Sequence, residues 1–297
     1  MLDFGAFRGR KVRCAGIGEL LFDIYLDEAM LGGAPANFAY HCVQNRLDSV
    51  IISSVGNDEL GTRARSILAR KFLPSLLAPS DKPTGAVNVT LDANGKPTYQ
   101  FLADTAWDNL PVTHQLLEFA ANLDVVCYGT LAQRSPRSHH TIMAFLDAMP
   151  EGSVKIFDVN LRGDFYSERI IQACVEGADI LKCNGDELPV LCRIAGTEYT
   201  DSAYATYLAD HGVHCFICTR GDERSTVFLN GEVSDIPTPE TNVVDTVGAG
   251  DAFTATFISA ALRGESLSSA HRKAVDYSAY VCTQYGGMPE IPAGLAG

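Results

Sequence analysis

The patterning of the chain predicts an α/β fold, a mainly parallel sheet covered by helices on both faces, with a small separate β-sheet acting as a lid. Short apolar runs alternate with helical stretches along most of the 297 residues. Two glycine-rich turns lead directly into helices, and two segments, 19–31 and 85–103, break the rhythm with strands that have no helix between them. Alternating strands and helices pair in parallel, because each crossover helix carries the chain back to start the next strand in the same direction.

In order along the chain, 49–55, 124–128, 154–158, 178–182 and 213–219 read as strands buried on both faces. Helical patterns fall at 34–45, 60–70, 136–148, 167–176, 187–195 and 202–210, the last stopped by Gly212. Within 85–103, alternating segments flank the turn Asp92-Ala93-Asn94-Gly95 and predict a hairpin. Strands joined this way do not easily enter a parallel sheet, so 19–31 and 85–103 are expected to form the lid. A further hairpin pattern surrounds Asn230-Gly231, at 224–229 and 232–236, and two long helices follow at 249–263 and 266–284. No repeat or low-complexity linker divides the chain, and residues 1–297 are expected to form one domain.

Composition narrows the function. With 36 acidic against 23 basic residues the formal charge is -13, which disfavours nucleic acid and anionic membrane as partners. An anionic nucleotide would have to be held by local backbone dipoles, a metal or a few basic side chains. There is no signal-peptide pattern and no spanning run of roughly 18–20 apolar residues, so a cytoplasmic location is expected. Nine cysteines without a framework of spacings predict reduced, buried thiols. Cys215 and Cys218 form a C-x-x-C, but strand alternation sends their side chains to opposite faces. His139-His140 and His211-x-x-His214 lack a third ligand and read as surface residues. Trp107 follows the lid hairpin, where it could close over a ligand or pack beneath the lid.

The segment Asn242 to Phe253 carries the most chemistry, because the small residues Gly248, Ala249 and Gly250 open a long helix. Their amides can approach an anion at the positive end of the helix dipole. Asp251, in the first turn, has two readings of equal standing, a stabilising N-terminal charge or a general base facing the anion. Gly32-Gly33-Ala34-Pro35-Ala36-Asn37 reads as a helix start, and the Asn37 amide can both donate to and accept from sugar hydroxyls. Other phosphate loops are excluded: no G-x-x-x-x-G-K-S/T exists, Gly95-Lys96 belongs to the hairpin turn, and Gly16-Ile17-Gly18 lacks the third glycine of a dinucleotide fingerprint.

These segments resemble the signatures of the PfkB/ribokinase family. DTVGAGD, 245–251, is similar to its carboxy-terminal signature and GGAPANFA, 32–39, to its amino-terminal one. Gly18-Glu19-Leu20-Leu21-Phe22-Asp23 resembles the sugar-binding strand of fructokinases, and Asp158-Val159-Asn160-Leu161-Arg162 their D-x-N-x-R strand end. Asn184-Gly185-Asp186-Glu187 resembles the N-x-x-E motif and Thr219-Arg220-Gly221 the start of a T-x-G-x-x-G nucleotide loop.

The resemblance, which extends over nearly the whole chain, implies a ribokinase-like fold and an ATP-dependent sugar kinase. It implies Asp251 as base, Gly248, Ala249 and Gly250 as anion hole, and Arg162 beside the phosphoryl path. Glu19, Asp23, Gly33 and Asn37 would hold sugar hydroxyls, while Asn184, Thr219 and Gly221 would line the ATP site. Glu187 would organise Mg2+ through water, and carbonyls around Asp245, Val247, Val281 and Gly286 would form a K+ site. The lid face would be a homodimer surface.

Two departures stand out. Arg224 occupies the last glycine of the nucleotide loop, which puts donor affinity or choice in question, and 68–82 is shorter and less regular than in the family. Glu19, where ribokinases carry a small polar residue, together with the D-x-N-x-R strand is similar to fructokinases, making fructose the expected acceptor. A 2-keto-3-deoxygluconate kinase shares these motifs and is the alternative. A non-catalytic sugar- or nucleotide-binding relative is opposed by Asp251 and kept open by Arg224; a nucleoside kinase is disfavoured by Glu19.

Overall fold

The computed structural model describes residues 1–25, 28–91 and 97–295. In chain order its strands begin with β1 (Arg13–Ile17), β2 (Leu21–Ile24), β3 (Ala29–Gly32), β4 (Asp48–Gly56), β5 (Ser75–Ser80), β6 (Gly85–Leu91) and β7 (Pro97–Phe101). They continue with β8 (Val125–Tyr128), β9 (Val154–Asp158), β10 (Ile180–Asn184), β11 (Cys215–Arg220), β12 (Arg224–Leu229) and β13 (Glu232–Pro237). The helices are α1 (Ala34–Gln44), α2 (Glu59–Arg70), α3 (His114–Ala120), α4 (Pro136–Ala148), α5 (Glu168–Glu176), α6 (Leu188–Ala195), α7 (Asp201–Asp210), α8 (Ala249–Leu262) and α9 (Leu267–Cys282). Every strand and helix expected from the sequence forms, displaced by no more than about two residues at an end.

Among the described residues the large sheet has the order β13-β12-β11-β10-β9-β8-β1-β4-β5 and the small one β3-β2-β6-β7. From β11 to β5 each neighbouring pair is parallel. In the small sheet β2 pairs antiparallel with β3 and parallel with β6, and β6 pairs antiparallel with β7. The expected turn at Asp92 to Gly95 lies outside the described residues. The hairpin β12–β13 joins the large sheet as its antiparallel edge.

β5 and α3 have no counterpart among the elements read from the sequence. β5 is an edge strand whose half-exposed residues and Pro79 blur the alternation, and an edge tolerates a residue that cannot donate to the ladder. α3 has seven residues, too few for a clear period.

The sheet is buried on both sides, as strand alternation requires. Cys215 and Ile217 of β11 pack with Phe253 and Phe257 of α8, whereas Phe216 and Cys218 pack with Tyr204 and Leu208 of α7. The C-x-x-C is thus split between two cores, and both thiols are free. α8 is buried all round from Ala252 to Leu262, because α1 and α9 pack against it and its side chains share a core with the sheet. Trp107 is 1% exposed beneath the Arg134 guanidinium, 4.2 Å from the ring centroid, so it packs below the small sheet. Among the described residues no His, Cys, Asp or Glu cluster could hold a metal, and no helix is long and apolar enough to cross a membrane.

Candidate active site

A cleft of about 1470 Å³ opens at the carboxyl ends of β1, β9, β10 and β11, between the small sheet and the first turns of α1 and α8. That is where ligands sit in parallel α/β sheets, since loops leave and helices start there. Glu19, Asp23, Gly33, Asn37, Arg162, Asn184, Glu187, Thr219, Gly221, Val247, Gly248, Ala249, Gly250 and Asp251 all line it. Asp245, Val281 and Gly286 do not.

One end collects acids. Glu19, just past β1, is 2% exposed, and its Oε2 has no hydrogen-bond partner among the described residues. Burial, with the nearby Asp251 charge, pushes its carboxyl up to about 7, against the opposing pull of backbone amides and Arg162. Asp23 on β2 is raised by burial to about 6, although Arg162 pulls it down. Gly33 caps α1 at φ 116, and a Cβ there would lie 2.4 Å from the Glu19 carbonyl, so a side chain is excluded both by strain and by space. Asn37 Nδ2 donates to Asp251 Oδ2 across 2.8 Å, while its Oδ1, also buried, has no partner among the described residues. Two unpartnered buried acceptors in one cleft call for a ligand with hydroxyl donors.

The middle of the cleft presents the open start of a helix. Gly248, at φ 77, turns the chain into α8, and no side chain caps the helix start. Below it lies a residue that sequence reasoning missed, Lys182. Its Nζ is 3.1 Å from Asp158 Oδ1, and a Cβ on Gly250 would lie 2.8 Å from that Nζ. Burial alone would depress the ammonium, but Asp158, Glu187 and Asp251 together hold it charged, above the ordinary lysine range. Lys182 hides in the sequence because its strand is otherwise apolar. The available signal was a lysine in a strand buried on both faces, two residues before Asn184. Burial and Asp158 raise Asp251 to about 6, partly offset by Lys182, Asn37 and Arg162.

At the other end, Glu187 Oε1 accepts from the Leu161 amide at 2.8 Å and Oε2 from the Asn184 amide at 2.9 Å, tying the loop after β9 to the end of β10. Asn184 Oδ1 accepts from the amides of Asp186 and Glu187. The Gly221 carbonyl accepts from Thr238 Oγ1 at 2.8 Å. Arg224 starts β12 opposite Arg220 in regular strand backbone, so its position makes no demand for glycine. Its half-exposed guanidinium pairs with Asp235 at 3.1 Å on the wall of the cleft. Outside the cleft, Asp245 Oδ1 accepts from the Val247 amide and Oδ2 from the Gly286 amide, joining the segments before α8 and after α9.

A hydroxyl-accepting acidic end, an open helix start and a buried ammonium in one cleft define an enzyme that passes an anionic group to a small polar molecule. The chain belongs to the pfkB family of carbohydrate kinases, whose sequence pattern matches residues 28–293; it is a sugar kinase. It is 31% identical to a fructokinase of Klebsiella pneumoniae over 253 residues, 80% of this chain and 81% of the relative. A fructokinase of Xylella fastidiosa with bound ATP has the same fold, with a TM-score of 0.81 at 19% identity over 93% of this chain and 94% of the other. So has a fructokinase of Vibrio cholerae with fructose, ADP and potassium, with a TM-score of 0.77 at 21% identity over 96% and 97%.

Proposed function

We propose that residues 1–297 form one kinase domain that transfers the γ-phosphoryl group of ATP to a hydroxyl of a neutral sugar, fructose being the expected acceptor. The observation that carries this reading is the contact between Asn37 and Asp251 at the mouth of the uncapped α8, beside Lys182.

In this reading Asp251 takes the proton of the acceptor hydroxyl as its oxygen bonds to phosphorus and the bond to the leaving ADP breaks. Asn37 orients the carboxylate through Nδ2. The amides at the start of α8, Lys182 and Arg162 stabilise the charge on the transferring group, the dominant contribution the protein makes to such reactions. Glu19 Oε2, Asp23 and Asn37 Oδ1 accept from sugar hydroxyls. Asn184, Thr219 and Gly221 hold the nucleotide end. With no protein cluster for a metal among the described residues, Mg2+ fits best as a nucleotide-borne ion that Glu187 meets through water. When bound it would neutralise phosphate charge. Carbonyls of Asp245, Val247, Val281 and Gly286 are the proposed K+ ligands, a reading supported by the potassium in the Vibrio cholerae relative. The small sheet is the proposed lid, which excludes water as a competing acceptor, and its outer face a homodimer surface.

The charge of the acceptor end favours a neutral ketose over 2-keto-3-deoxygluconate. Glu19, Asp23 and Asp251 outnumber Arg162 there, so a sugar acid would bring a further carboxylate among carboxylates. Coupled measurement of ADP release with ATP, Mg2+ and a panel of free sugars, sugar acids and nucleosides tests the reading. Fructose should have the highest kcat/KM; a preference of about tenfold or more for the sugar acid or a nucleoside would overturn it. No turnover with any acceptor, despite sugar and ATP binding, would mark a non-catalytic relative.

A further inference from the structure

Beyond α9 the chain runs through residues 286–290 without regular structure, yet side chains from three other segments hold it residue by residue. The Gly286 amide donates to Asp245 Oδ2 at 2.9 Å. The Gly287 carbonyl faces His41 Nε2 at 2.9 Å, the Met288 carbonyl accepts from Lys71 Nζ at 2.6 Å, and the Pro289 carbonyl accepts from Tyr40 Oη at 2.6 Å. Such a strap is more than surface loop, and Gly287 is buried within it. A Cβ on Gly287 would lie 2.6 to 2.7 Å from the Asn37 amide atoms, and a Cβ on Gly248 would lie 2.6 Å from Gly287 Cα. Gly287 is therefore wedged between the side chain that orients Asp251 and the residue that starts α8.

We propose that His41 is a positioning residue of the phosphoryl-transfer site, acting through Gly287 to seat the Asn37 amide against Asp251; the inference rests on Asp251 being the base. His41 is fully buried on α1, one turn after Asn37, so the same helix face supplies both the orienting amide and the anchor for the strap. Its ring is fixed at both nitrogens. A carbonyl only accepts, so Nε2 carries the proton toward Gly287, and Nδ1, 3.0 Å from Tyr277 Oη, accepts from that hydroxyl. Burial pushes the imidazole down to about 4, so it stays neutral and keeps this tautomer through the physiological range. Among the described residues Asn37 has no side-chain partner other than Asp251, which leaves Gly287 as the backbone wall that limits its rotation.

The test compares three variants by kcat, by KM for each substrate and by thermal midpoint, assayed well below each midpoint. His41→Leu removes the donor to Gly287; kcat should fall about 10- to 100-fold, as expected for a reacting group displaced by a fraction of an ångström, while KM for ATP changes less than about threefold. His41→Gln keeps an N–H at the reach of Nε2 and should restore kcat to within about threefold of wild type, a rescue that bulk packing alone would not produce. Gly287→Ala should lower kcat in the same way, and its crystal structure should show the Asn37–Asp251 hydrogen bond broken. A His41→Leu enzyme that melts lower but keeps wild-type kcat overturns the proposal, as does failure of Gln to rescue. An unchanged Asn37–Asp251 distance in Gly287→Ala overturns it even if the wild-type protein phosphorylates no sugar, an outcome that would separately defeat the kinase reading of Asp251.

Discussion

Asn37 Nδ2 donates to Asp251 Oδ2 across 2.8 Å, joining the first turns of α1 and α8 over 214 residues of sequence. The bond leaves Oδ1 of Asp251 as the oxygen without an Asn37 partner, which is where a hydroxyl proton can be received. Asp251→Asn retains the size but not the basicity, so turnover should fall by roughly 10² to 10⁴ with the thermal midpoint little changed. Because burial raises the carboxyl to about 6 and a base must be ionised, kcat/KM should rise with pH through that region and fall off below it. Stopped-time assays from pH 5 to 8 on the wild type check this; a flat profile with an active Asp251→Asn enzyme would return Asp251 to a helix-start charge.

Lys182 and Asp158 form a buried ion pair under the start of α8, with side chains 9% and 4% exposed. Lys182→Met would strand the Asp158 charge and should cost about 3 to 5 kcal/mol of stability as well as turnover. Adding Asp158→Asn should recover most of the stability but not the rate, because the transferring phosphoryl group still lacks its ammonium. Denaturant melts and single-turnover rates on both variants separate the two effects. Recovery of rate along with stability would make Lys182 structural.

Glu19 is held at a cost to the fold. Its carboxyl is raised from 4.5 to about 7, so the penalty for ionising it is absent below pH 4.5, grows through the window between these values and is complete above 7. Stability from this group therefore declines as pH rises, and Glu19→Gln should stabilise the protein at pH 8 by on the order of 3 kcal/mol, with the gain shrinking toward pH 5. Sugar KM should rise about tenfold at pH 8, from losing a charged acceptor. Thermal melts at the two pH values, with and without sugar, measure both; a variant no more stable than wild type at pH 8 would show that the cleft hydrates this carboxylate.

Arg224 pairs with Asp235 at the proposed nucleotide end, both groups being about half exposed. Arg224→Gly should shift stability by less than about 1 kcal/mol, since exposed pairs contribute little. KM for ATP should change while KM for the sugar does not. A shift confined to the sugar constant would show that 219–224 does not serve the nucleotide.

Much of this protein was legible because its residues carry their reasons locally. The α8 start is written in Gly248, Ala249 and Gly250, since only small residues allow the turn and the approach. The buried strands are written in unbroken apolar runs, and Cys215 and Cys218 could be assigned to opposite faces from alternation alone. β5 was not legible: its backbone pairs along one edge only, so its side chains carry a weak pattern. Lys182 was not either, because a lysine in an apolar strand has no local meaning.

The order of elements and the small-residue starts of α1 and α8 follow from period, turn chemistry and side-chain type. Partnership does not. That Asp158 neutralises Lys182, that Glu187 ties two loops, that Trp107 packs under Arg134 and that His41 reaches Gly287 are facts of residues far apart in the chain. Burial, which raises Glu19 and Asp251, and the gathering of Asp158, Glu187 and Asp251 that keeps Lys182 charged are likewise decided only when the sheet, α1 and α8 close around them, since desolvation depends on every neighbour and on no single residue type.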